Sequence, residues 1–543
     1  MTRLRPAGTG EPVAEGAGAA EVEGRGDGSC GAAVEPSPEH PAVITASTRI
    51  PAPRLLLTTP HPRRRRAEQR VWSHRPARVT TPEAVIRGIP SAPLRLLPAA
   101  LALALGLWGI DRDHSLWRDE SVTYQVAHRP LGAILELLGN VDAVHGLYYL
   151  LMHAVFAFAD GPADSTGGLL LLRLPSVLAV ALAATGVSEI GRLLAGPATG
   201  GWAGGLFAAL PPVQMYAQDG RSYALVAAAV VWATYLMLRQ AWAGYTLVLG
   251  LACWLHEFAA LVLLAHAVTL RRPPPGWWRA AAGVMALILP LAYVSARQAG
   301  QQLGWLGRPS WTDWLTYLVV AALGLVLTHL VEAPQLVRLA LPLLLVPAGL
   351  LLPLSLLHPW YVDRYVLYSL SGIALLGGAA AARLRHRRVS ASLAACLAFA
   401  ALPWSLWLRT PDSRKDDVAA VAAAVRAQAR PGDAVLYLPA RRREWLLSFP
   451  DVRQGLVDPV LDRSPAGSNS LQGAELDAEA ISERLRSVPR VLALTDPPDQ
   501  PLDPFPFEAA KRQVLAADFR VCSSTEVRGA QVVLYARPGR CAG

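Results

Sequence analysis

The sequence predicts a polytopic membrane protein that consists mainly of helices and ends in a small C-terminal α/β domain. Apolar residues make up 52% of its 543 residues and charged residues only 17%, which is too apolar for a chain that is soluble throughout. Long apolar segments recur between residues 91 and 409. From residue 410 to residue 543, short strand-like and helix-like segments alternate instead.

Residues 1–90 precede the first apolar segment. They are rich in Gly, Pro, Ala, Glu and Arg, contain the run from Arg63 to Arg66, and lack sustained apolar periodicity. This composition predicts a disordered, basic cytoplasmic tail. The first thirty residues contain no short apolar core with a cleavage site, so we expect the first span to remain as an anchor.

Residues 91–409 are expected to form a transmembrane bundle of about 10 to 11 spans. Their apolar segments are mostly rich in Ala, Gly and Leu, a composition that lets helices approach closely in lipid. The segments are 91–110, 144–159, 168–194, 198–217, 222–238, 245–270, 277–296, 311–330, 335–357, 364–382 and 389–408.

Basic residues set the expected orientation in the plasma membrane. The net charge of +10 resides in the tail and in loops, not along one amphipathic face, so the expected partner is a lipid bilayer and not nucleic acid. The basic loop from Arg383 to Arg388 is expected inside, which places the C-terminal domain outside. Counting the membrane crossings in this orientation predicts that 144–159 lies as a helix on the outer surface. It makes 245–270 either a tight re-entrant pair or a miscounted segment.

The C-terminal domain is predicted from alternating periodicities. A helical pattern at 412–429 leads into a strand at 434–438, and further strands are expected at 490–494 and 531–536. Helices are expected near 475–487 and 507–517. The cysteines have no metal-ligand spacing, and Cys522 and Cys541 share this domain either as a disulfide or as two free thiols.

The stretch Trp117-Arg118-Asp119-Glu120-Ser121, just beyond the first span, carries the candidate chemistry. A carboxylate at a membrane surface, shielded by apolar neighbours, can have a raised pKa and act as a base on a hydroxyl. Glu120 is expected to raise the pKa of the pair further. The alternative is an ordinary solvated loop.

Two more polar stretches are expected on the same face as this loop. They are Gln218-Asp219-Gly220-Arg221-Ser222-Tyr223 and Asp363-Arg364-Tyr365, and Asp142 and His145 lie at the far end of the Asp119 loop. Arginine at the edge of a span can form charge-assisted hydrogen bonds to a phosphate. The alternative is that Arg221 and Arg364 reach out to lipid headgroups.

The order of these motifs resembles the GT-C superfamily of integral membrane glycosyltransferases, and within it glycosyltransferase family 39, the branch of the protein O-mannosyltransferases and aminoarabinose transferases. The motifs are Trp-Arg-Asp-Glu-Ser after the first span, His145-Gly146-Leu147-Tyr148-Tyr149, Arg173-Leu174-Pro175-Ser176, and the two stretches around Arg221 and Arg364. The family's usual His-Pro-Pro-Leu-Tyr-Tyr element lacks its prolines here.

The resemblance implies inverting transfer of a sugar from a polyprenyl-phosphate donor to an extracytoplasmic acceptor, which is a protein, a lipid or a cell-envelope glycan. It makes Asp119 the catalytic base and Glu120 its acidic neighbour. The residues implied for the donor phosphate are Arg221, Tyr223, Arg364 and Tyr365. Asp142, His145 and Asp219 are candidates for contacts to substrate or to a divalent metal, although no ligand set demands one.

Two other classes of function compete with this interpretation. Carboxylates and arginines in spans also mark the pathways of transporters and flippases of lipid-linked sugars. However, the acidic pair lies in a loop and the chain has no evident inverted repeat. The second alternative is an inactive scaffold whose outer domain binds cell-envelope polymer.

Overall fold

The structure is a computed structural model that describes residues 92–302, 307–384 and 386–541. The expected tail at 1–90 lies outside these residues. The helices of the N-terminal part are α1 Ala92–Leu107, α2 Arg118–Ala127, α3 Leu131–Asn140, α4 Gly146–Phe158, α5 Thr166–Ala195, α6 Pro197–Ala209, α7 Pro211–Ala217, α8 Tyr223–Leu238, α9 Trp242–Leu255, α10 Val262–Leu270, α11 Pro275–Gln302, α12 Trp311–His329, α13 Pro334–Leu354, α14 Leu370–Ala381 and α15 Arg387–Trp407.

The chain is a membrane protein with a mainly helical fold. Within the described ranges, five helical stretches are long and apolar enough to cross a bilayer, and they are Thr166–Ala195, Pro275–Gly300, Trp311–His329, Pro334–Leu354 and Arg388–Trp407. Shorter apolar helices, among them α1, α8, α9 and α10, complete the bundle. The expected number of 10 to 11 spans stays a prediction.

Several predicted segments are interrupted where the sequence dictates a break. The segment 198–217 divides into α6 and α7 at Leu210, because Pro211 and Pro212 begin a new helix. The segment 245–270 forms α9, a 3₁₀ turn at Glu257–Leu261 and α10. A hydrogen bond of 2.9 Å joins Tyr245 in α9 to His266 in α10.

The segment 144–159 is a helix, as predicted, but a short one. It comprises a 3₁₀ turn at Ala143–His145 and the 13 residues of α4. At about 1.5 Å per residue, α4 is shorter than the roughly 30 Å of bilayer hydrocarbon. Its Tyr149 packs with Val122 and Val126 of α2 in one apolar cluster. This length is consistent with a helix that does not cross.

Close packing by small residues joins the central helices. A Cβ atom at Gly378 in α14 would lie 2.5 Å from the backbone nitrogen of Ala203 in α6. A Cβ atom at Gly200 in α6 would lie 2.5 Å from the carbonyl oxygen of Ser188 in α5. No side chain fits at either glycine without moving a backbone, so these residues allow the three helices to approach.

The C-terminal α/β region begins with α16 Val418–Gln428. Its other elements are β1 Ala434–Leu438, α17 Arg443–Leu447, α18 Pro450–Arg453, β2 Leu461–Arg463, β3 Ala474–Glu475, α19 Ala478–Ser487, β4 Arg490–Thr495, α20 Pro506–Asp518, β5 Arg520–Val527 and β6 Ala530–Ala536. The main sheet has the order β1-β4-β6-β5, in which β1 and β4 are parallel and the other pairs antiparallel.

The strands predicted at 434–438, 490–494 and 531–536 are present, whereas β5 was not anticipated. This strand reads Arg-Val-Cys-Ser-Ser-Thr-Glu-Val and lies mostly exposed at the sheet edge, so it lacks the apolar run by which buried strands are recognised. Cys522 in β5 and Cys541 form a disulfide, which decides between the two states that the sequence left open.

Candidate functional site

The loop after α1 brings the Asp119-Glu120 pair into the first turn of α2. Trp117 has extended backbone angles and precedes the helix, which begins at Arg118. Carboxylates in a first turn stabilise a helix because its N-terminal N–H groups are unpaired and partially positive. Successive helical side chains point about 100° apart, so the two carboxylates diverge. The Asp119 side chain is 22% exposed and the Glu120 side chain is fully buried.

Asp119 lies between two arginines from distant parts of the chain. Arg221 is in the loop before α8, and its Nη2 atom is 3.9 Å from Oδ1 of Asp119. Arg364 is in the 3₁₀ turn before α14, and its Nη2 atom is 3.6 Å from Oδ2 of Asp119. The fold thus joins three residues that the sequence predicts for the same end of the bundle. Both distances exceed those of direct hydrogen bonds.

The charge of Asp119 follows from these neighbours. Burial raises the pKa of Asp119, but the positive charges of Arg221 and Arg364 outweigh burial and hold the pKa below the ordinary value of 3.8. The expected raised pKa of Asp119 is therefore wrong, because the two arginines lower it and Glu120 is paired with Arg112 and Arg173 instead. Asp119 is ionised at neutral pH, which is the state that a general base requires.

Glu120 belongs to a buried ion network. Its Oε2 atom accepts hydrogen bonds from Nη2 of Arg112 at 2.6 Å and Nη2 of Arg173 at 2.7 Å. Its Oε1 atom accepts from Nε of Arg173 at 2.7 Å and from the backbone N–H of Gly220 at 3.0 Å. Although burial opposes ionisation, the two arginines lower the pKa of Glu120 to about 2. This residue fastens the loop to α5 and to the Gly220 corner.

Arg221 is held by residues of α2 and α4. Its Nη1 atom donates to the hydroxyl of Tyr149 at 3.2 Å and to Thr123 Oγ1 at 3.4 Å. The Tyr149 hydroxyl in turn donates to Asp142. Burial raises the pKa of Asp142 in spite of Arg221. Asp142 therefore acts on Arg221 through Tyr149, a contact that the sequence did not indicate.

Aromatic rings surround Arg364. Its Nε atom donates to the hydroxyl of Tyr223 at 3.1 Å. The guanidinium carbon is 5.5 Å from the ring centre of Tyr223, 5.7 Å from that of Tyr365 and 5.9 Å from that of Trp117. Rings at these distances attract a cation and limit its side-chain motion. Tyr223 and Tyr365, predicted as phosphate-binding residues, thus hold the arginine in place.

Asp219 supports the tryptophan that precedes Asp119. Its Oδ1 atom accepts a hydrogen bond from Nε1 of Trp117 at 2.9 Å. Its backbone carbonyl accepts one from Ser176 at 2.6 Å, so the Arg173-Leu174-Pro175-Ser176 motif touches this corner. Burial and the nearby charge of Glu120 raise the pKa of Asp219 to about 6. Asp219 thereby links the loop to the Arg221 corner.

A second histidine joins His145 near the arginines. The rings of His145 and His256 are 6.2 Å apart, and the ring of His256 is 4.2 Å from that of Tyr365. Both histidines are buried, and neither Nδ1 atom has a hydrogen-bond partner among the described residues. The sequence interpretation did not include His256. The sequence feature that could have indicated His256 is the polar pair His256-Glu257 inside an apolar segment.

The candidate metal ligands do not form a metal site. In the ranges that the structure describes, no three His, Cys, Asp or Glu side chains are grouped so that they could hold a metal ion. Asp142 accepts from Tyr149 and Asp219 from Trp117, so the carboxylates proposed as ligands serve structural contacts.

The α/β region braces the loop that carries Asp119. The backbone N–H of Arg118 donates to Oδ1 of Asp416 at 2.7 Å, and the Arg118 side chain forms an ion pair with Glu444. The hydroxyls of Ser121 and Ser448 are 2.8 Å apart. These contacts join residues about 300 positions apart, so no local sequence pattern could have indicated them.

We predict that Glu120→Gln destabilises the protein. The change leaves the buried charges of Arg112 and Arg173 without their counter-ion, which typically costs about 3 to 5 kcal/mol. Thermal unfolding in detergent should show a marked loss. Asp119→Asn is the matched control, because its partly exposed carboxylate lies beyond hydrogen-bond distance of both arginines and should change the melting temperature much less. Equal melting temperatures for both variants and the wild type would contradict the structural role.

Comparison with known proteins identifies the fold. No known family profile matches the chain, and no curated protein sequence matches it. Two crystal structures of ArnT from Cupriavidus metallidurans do match. The apo structure has a TM-score of 0.54 and 13% identity, and covers 81% of this chain and 97% of ArnT. The structure bound to undecaprenyl phosphate has a TM-score of 0.55 and 14% identity, and covers 82% and 98%.

A third solved structure is more distant. The oligosaccharyltransferase of Archaeoglobus fulgidus, in complex with zinc and sulfate, aligns with 11% identity and a TM-score of 0.38 over 74% of this chain and 67% of its own.

The alignments with the two ArnT structures cover nearly the whole length of ArnT, so the likeness includes both the bundle and the α/β region. The chain therefore has an ArnT-like fold.

Proposed function

We propose that the chain is an inverting glycosyltransferase that moves a sugar from a polyprenyl-phosphate carrier to an extracytoplasmic acceptor. The observation that carries this proposal is the partly exposed carboxylate of Asp119 between Arg221 and Arg364. A proton acceptor beside two phosphate-binding cations supplies both functions that such a transfer needs. The undecaprenyl phosphate in one ArnT structure supports this class of carrier.

In this proposal residues 91–409 form the transferase domain, of the family 39 type, and residues 410–543 form an extracytoplasmic domain. The acceptor is a protein, a lipid or a glycan of the cell envelope. The contacts of Glu444 and Ser448 with the Asp119 loop support a role of the outer domain in holding the site.

The reaction begins with the donor phosphate bound to Arg221 and Arg364. The acceptor hydroxyl oxygen attacks the anomeric carbon from the face opposite the phosphate, and the bond between that carbon and the phosphate oxygen breaks. Asp119 takes the hydroxyl proton. The bonding electrons leave with the polyprenyl phosphate, whose added charge the two arginines stabilise. One displacement inverts the anomeric configuration.

Donor binding also changes the strength of the base. Without donor, the two arginines face Asp119 and lower its pKa, which makes it a weak base. A phosphate between them competes for the same guanidinium groups and adds negative charge, so the pKa of Asp119 rises when the donor is bound. The base thus becomes stronger only when a sugar is in place to be transferred.

The remaining candidates have positioning roles in this scheme. Tyr223 and Tyr365 hold Arg364, while Tyr149 and Asp142 hold Arg221. Asp219 and Glu120 hold the loop on either side of Asp119. Each cation is therefore oriented before the donor arrives, which lowers the cost of binding it.

The expected sidedness can be tested directly. Because the basic loop from Arg383 to Arg388 is expected inside, the C-terminal domain and the Asp119 site should lie outside. A reporter that is active only in the cytoplasm, fused after Gly543, should give no signal, whereas a reporter active only outside should give one. A strong cytoplasmic signal would contradict the proposed orientation.

Arg221→Ala and Arg364→Ala should each weaken donor binding by roughly 1.5 to 3 kcal/mol, the range for a hydrogen bond to a charged group. Lys at either position should restore part of the affinity, because it keeps the charge but loses the planar fork. Arg383→Ala, which removes an exposed arginine, is the control and should bind donor normally. Wild-type affinity in both test variants would assign these arginines to lipid headgroups.

Asp119→Asn should lower turnover by about a hundred-fold to ten-thousand-fold, because the amide cannot accept the proton. Donor affinity should not fall, because the change removes a negative charge that competes with the phosphate for Arg221 and Arg364. The two arginines lower the pKa of Asp119. In the free enzyme its carboxylate should therefore stay ionised even when the pH falls to the ordinary pKa of an aspartate. Arg364→Ala removes a cation and should move the Asp119 limb of kcat/KM to higher pH.

Asp219→Asn provides the control for that pH profile, because the pKa of Asp219 is about 6 and its own titration should disappear in this variant. Wild-type turnover in Asp119→Asn would exclude Asp119 as the base.

A further inference from the structure

A cavity lies next to the proposed phosphate site. It has a volume of about 180 Å³ and is bordered by the His256-Glu257-Phe258 turn, by one face of α11, and by Trp360 and Tyr365. Two of its lining residues also belong to the surroundings of the arginines. Tyr365 packs against Arg364, and the ring of His256 is 5.9 Å from that of Tyr223, which binds Arg364.

The size of the cavity suits one sugar ring. At about 30 Å³ for each water molecule, 180 Å³ corresponds to about six waters. This space is enough for one pyranose ring with its hydroxyl groups, and the cavity is open on one side. Small residues of α11, Ala292, Ala296 and Ala299, form one wall and leave this space open.

The lining chemistry also matches a sugar ring. Phe258, Trp360 and Tyr365 supply aromatic surface for the apolar face of a ring, and Glu257, Ser295 and His256 supply polar groups for its hydroxyls. The Nδ1 atom of His256 is buried and has no hydrogen-bond partner among the described residues. Such an atom normally costs free energy, which a bound ligand can recover.

We propose, building on the transferase function above, that this cavity receives the sugar ring of the donor while Arg221 and Arg364 hold its phosphate. Glu257 accepts hydrogen bonds from ring hydroxyls and sets the specificity. The lining contains a carboxylate and no Lys or Arg in the part of the chain that the structure describes, so it excludes sugars that carry a carboxylate of their own. The substrate class is therefore a single, non-anionic monosaccharide.

The test compares two lipids with the full-length protein. Undecaprenyl phosphate reports the phosphate site alone, and undecaprenyl phosphate that carries a neutral hexose reports the phosphate site plus the cavity. Glu257→Gln removes the charged acceptor, and Ala292→Leu fills the cavity without removing a polar group. Gln335→Ala is the control, because it lines a separate cavity of about 490 Å³ near Glu332 and Arg383.

Wild type and the Gln335→Ala variant should bind the sugar-bearing lipid more tightly than the bare one. Each test variant should lose about tenfold or more of the affinity for the sugar-bearing lipid. Both should bind undecaprenyl phosphate like the wild type, which also shows that they are folded.

Three results would overturn the proposal. Equal losses for both lipids would assign the cavity to the polyprenyl chain, and unchanged binding of both would show that the donor does not enter it. A donor with a uronic acid that binds wild type as tightly as the neutral donor would contradict the role of Glu257. If wild type binds neither lipid, the transferase proposal fails first, and that result differs from the other three.

Discussion

The architecture of the site depends on one buried ion network, in which Glu120 receives hydrogen bonds from Arg112 and Arg173. Removing these charges from water costs several kcal/mol for each ion, so the network is stable only where geometry satisfies nearly every polar atom. Arg173 also donates to the carbonyl of Ser115 at 2.6 Å, and Gly220 donates to Glu120. Each nitrogen of the Arg173 guanidinium and each carboxylate oxygen of Glu120 has a partner, whereas Nε and Nη1 of Arg112 are buried without one among the described residues. This arrangement directs the side chain of Asp119 toward Arg221 and Arg364.

Two adjacent carboxylates thus have opposite environments. Glu120 is surrounded by buried donors and carries no free lone pair toward the site, whereas Asp119 is partly exposed and faces its cations across a gap. In the proposed function this loose pairing matters, because a phosphate can replace Asp119 as the anionic partner of the arginines without breaking a direct hydrogen bond. A site whose cations already have a weak internal counter-ion is stable when empty and keeps its shape for the ligand.

The α/β region contributes to this geometry from outside the bundle. Asp416 and Glu444 contact Arg118 at the start of the first turn of α2, and Ser448 contacts Ser121 at its end. The turn that carries Asp119 is therefore held on one side by the bundle and on the other by the α/β region. If Asp119 is the base, as proposed, a region that contacts its turn is well placed to influence which acceptor reaches it.

The sequence alone determined the elements that arise from local pattern. Apolar length located most helices of the bundle, and short apolar runs located β1, β4 and β6. The motif order also identified Asp119, Arg221 and Arg364 as residues at one end of the bundle. Only the tertiary structure decided what each side chain does, because direction and distance depend on contacts between remote segments. It separated Asp119 from Glu120, turned a raised pKa into a lowered one, added His256, and placed the α/β region against α2. The exposed strand β5 and the disulfide of Cys522 also needed the structure, because neither pairing leaves a mark in local sequence.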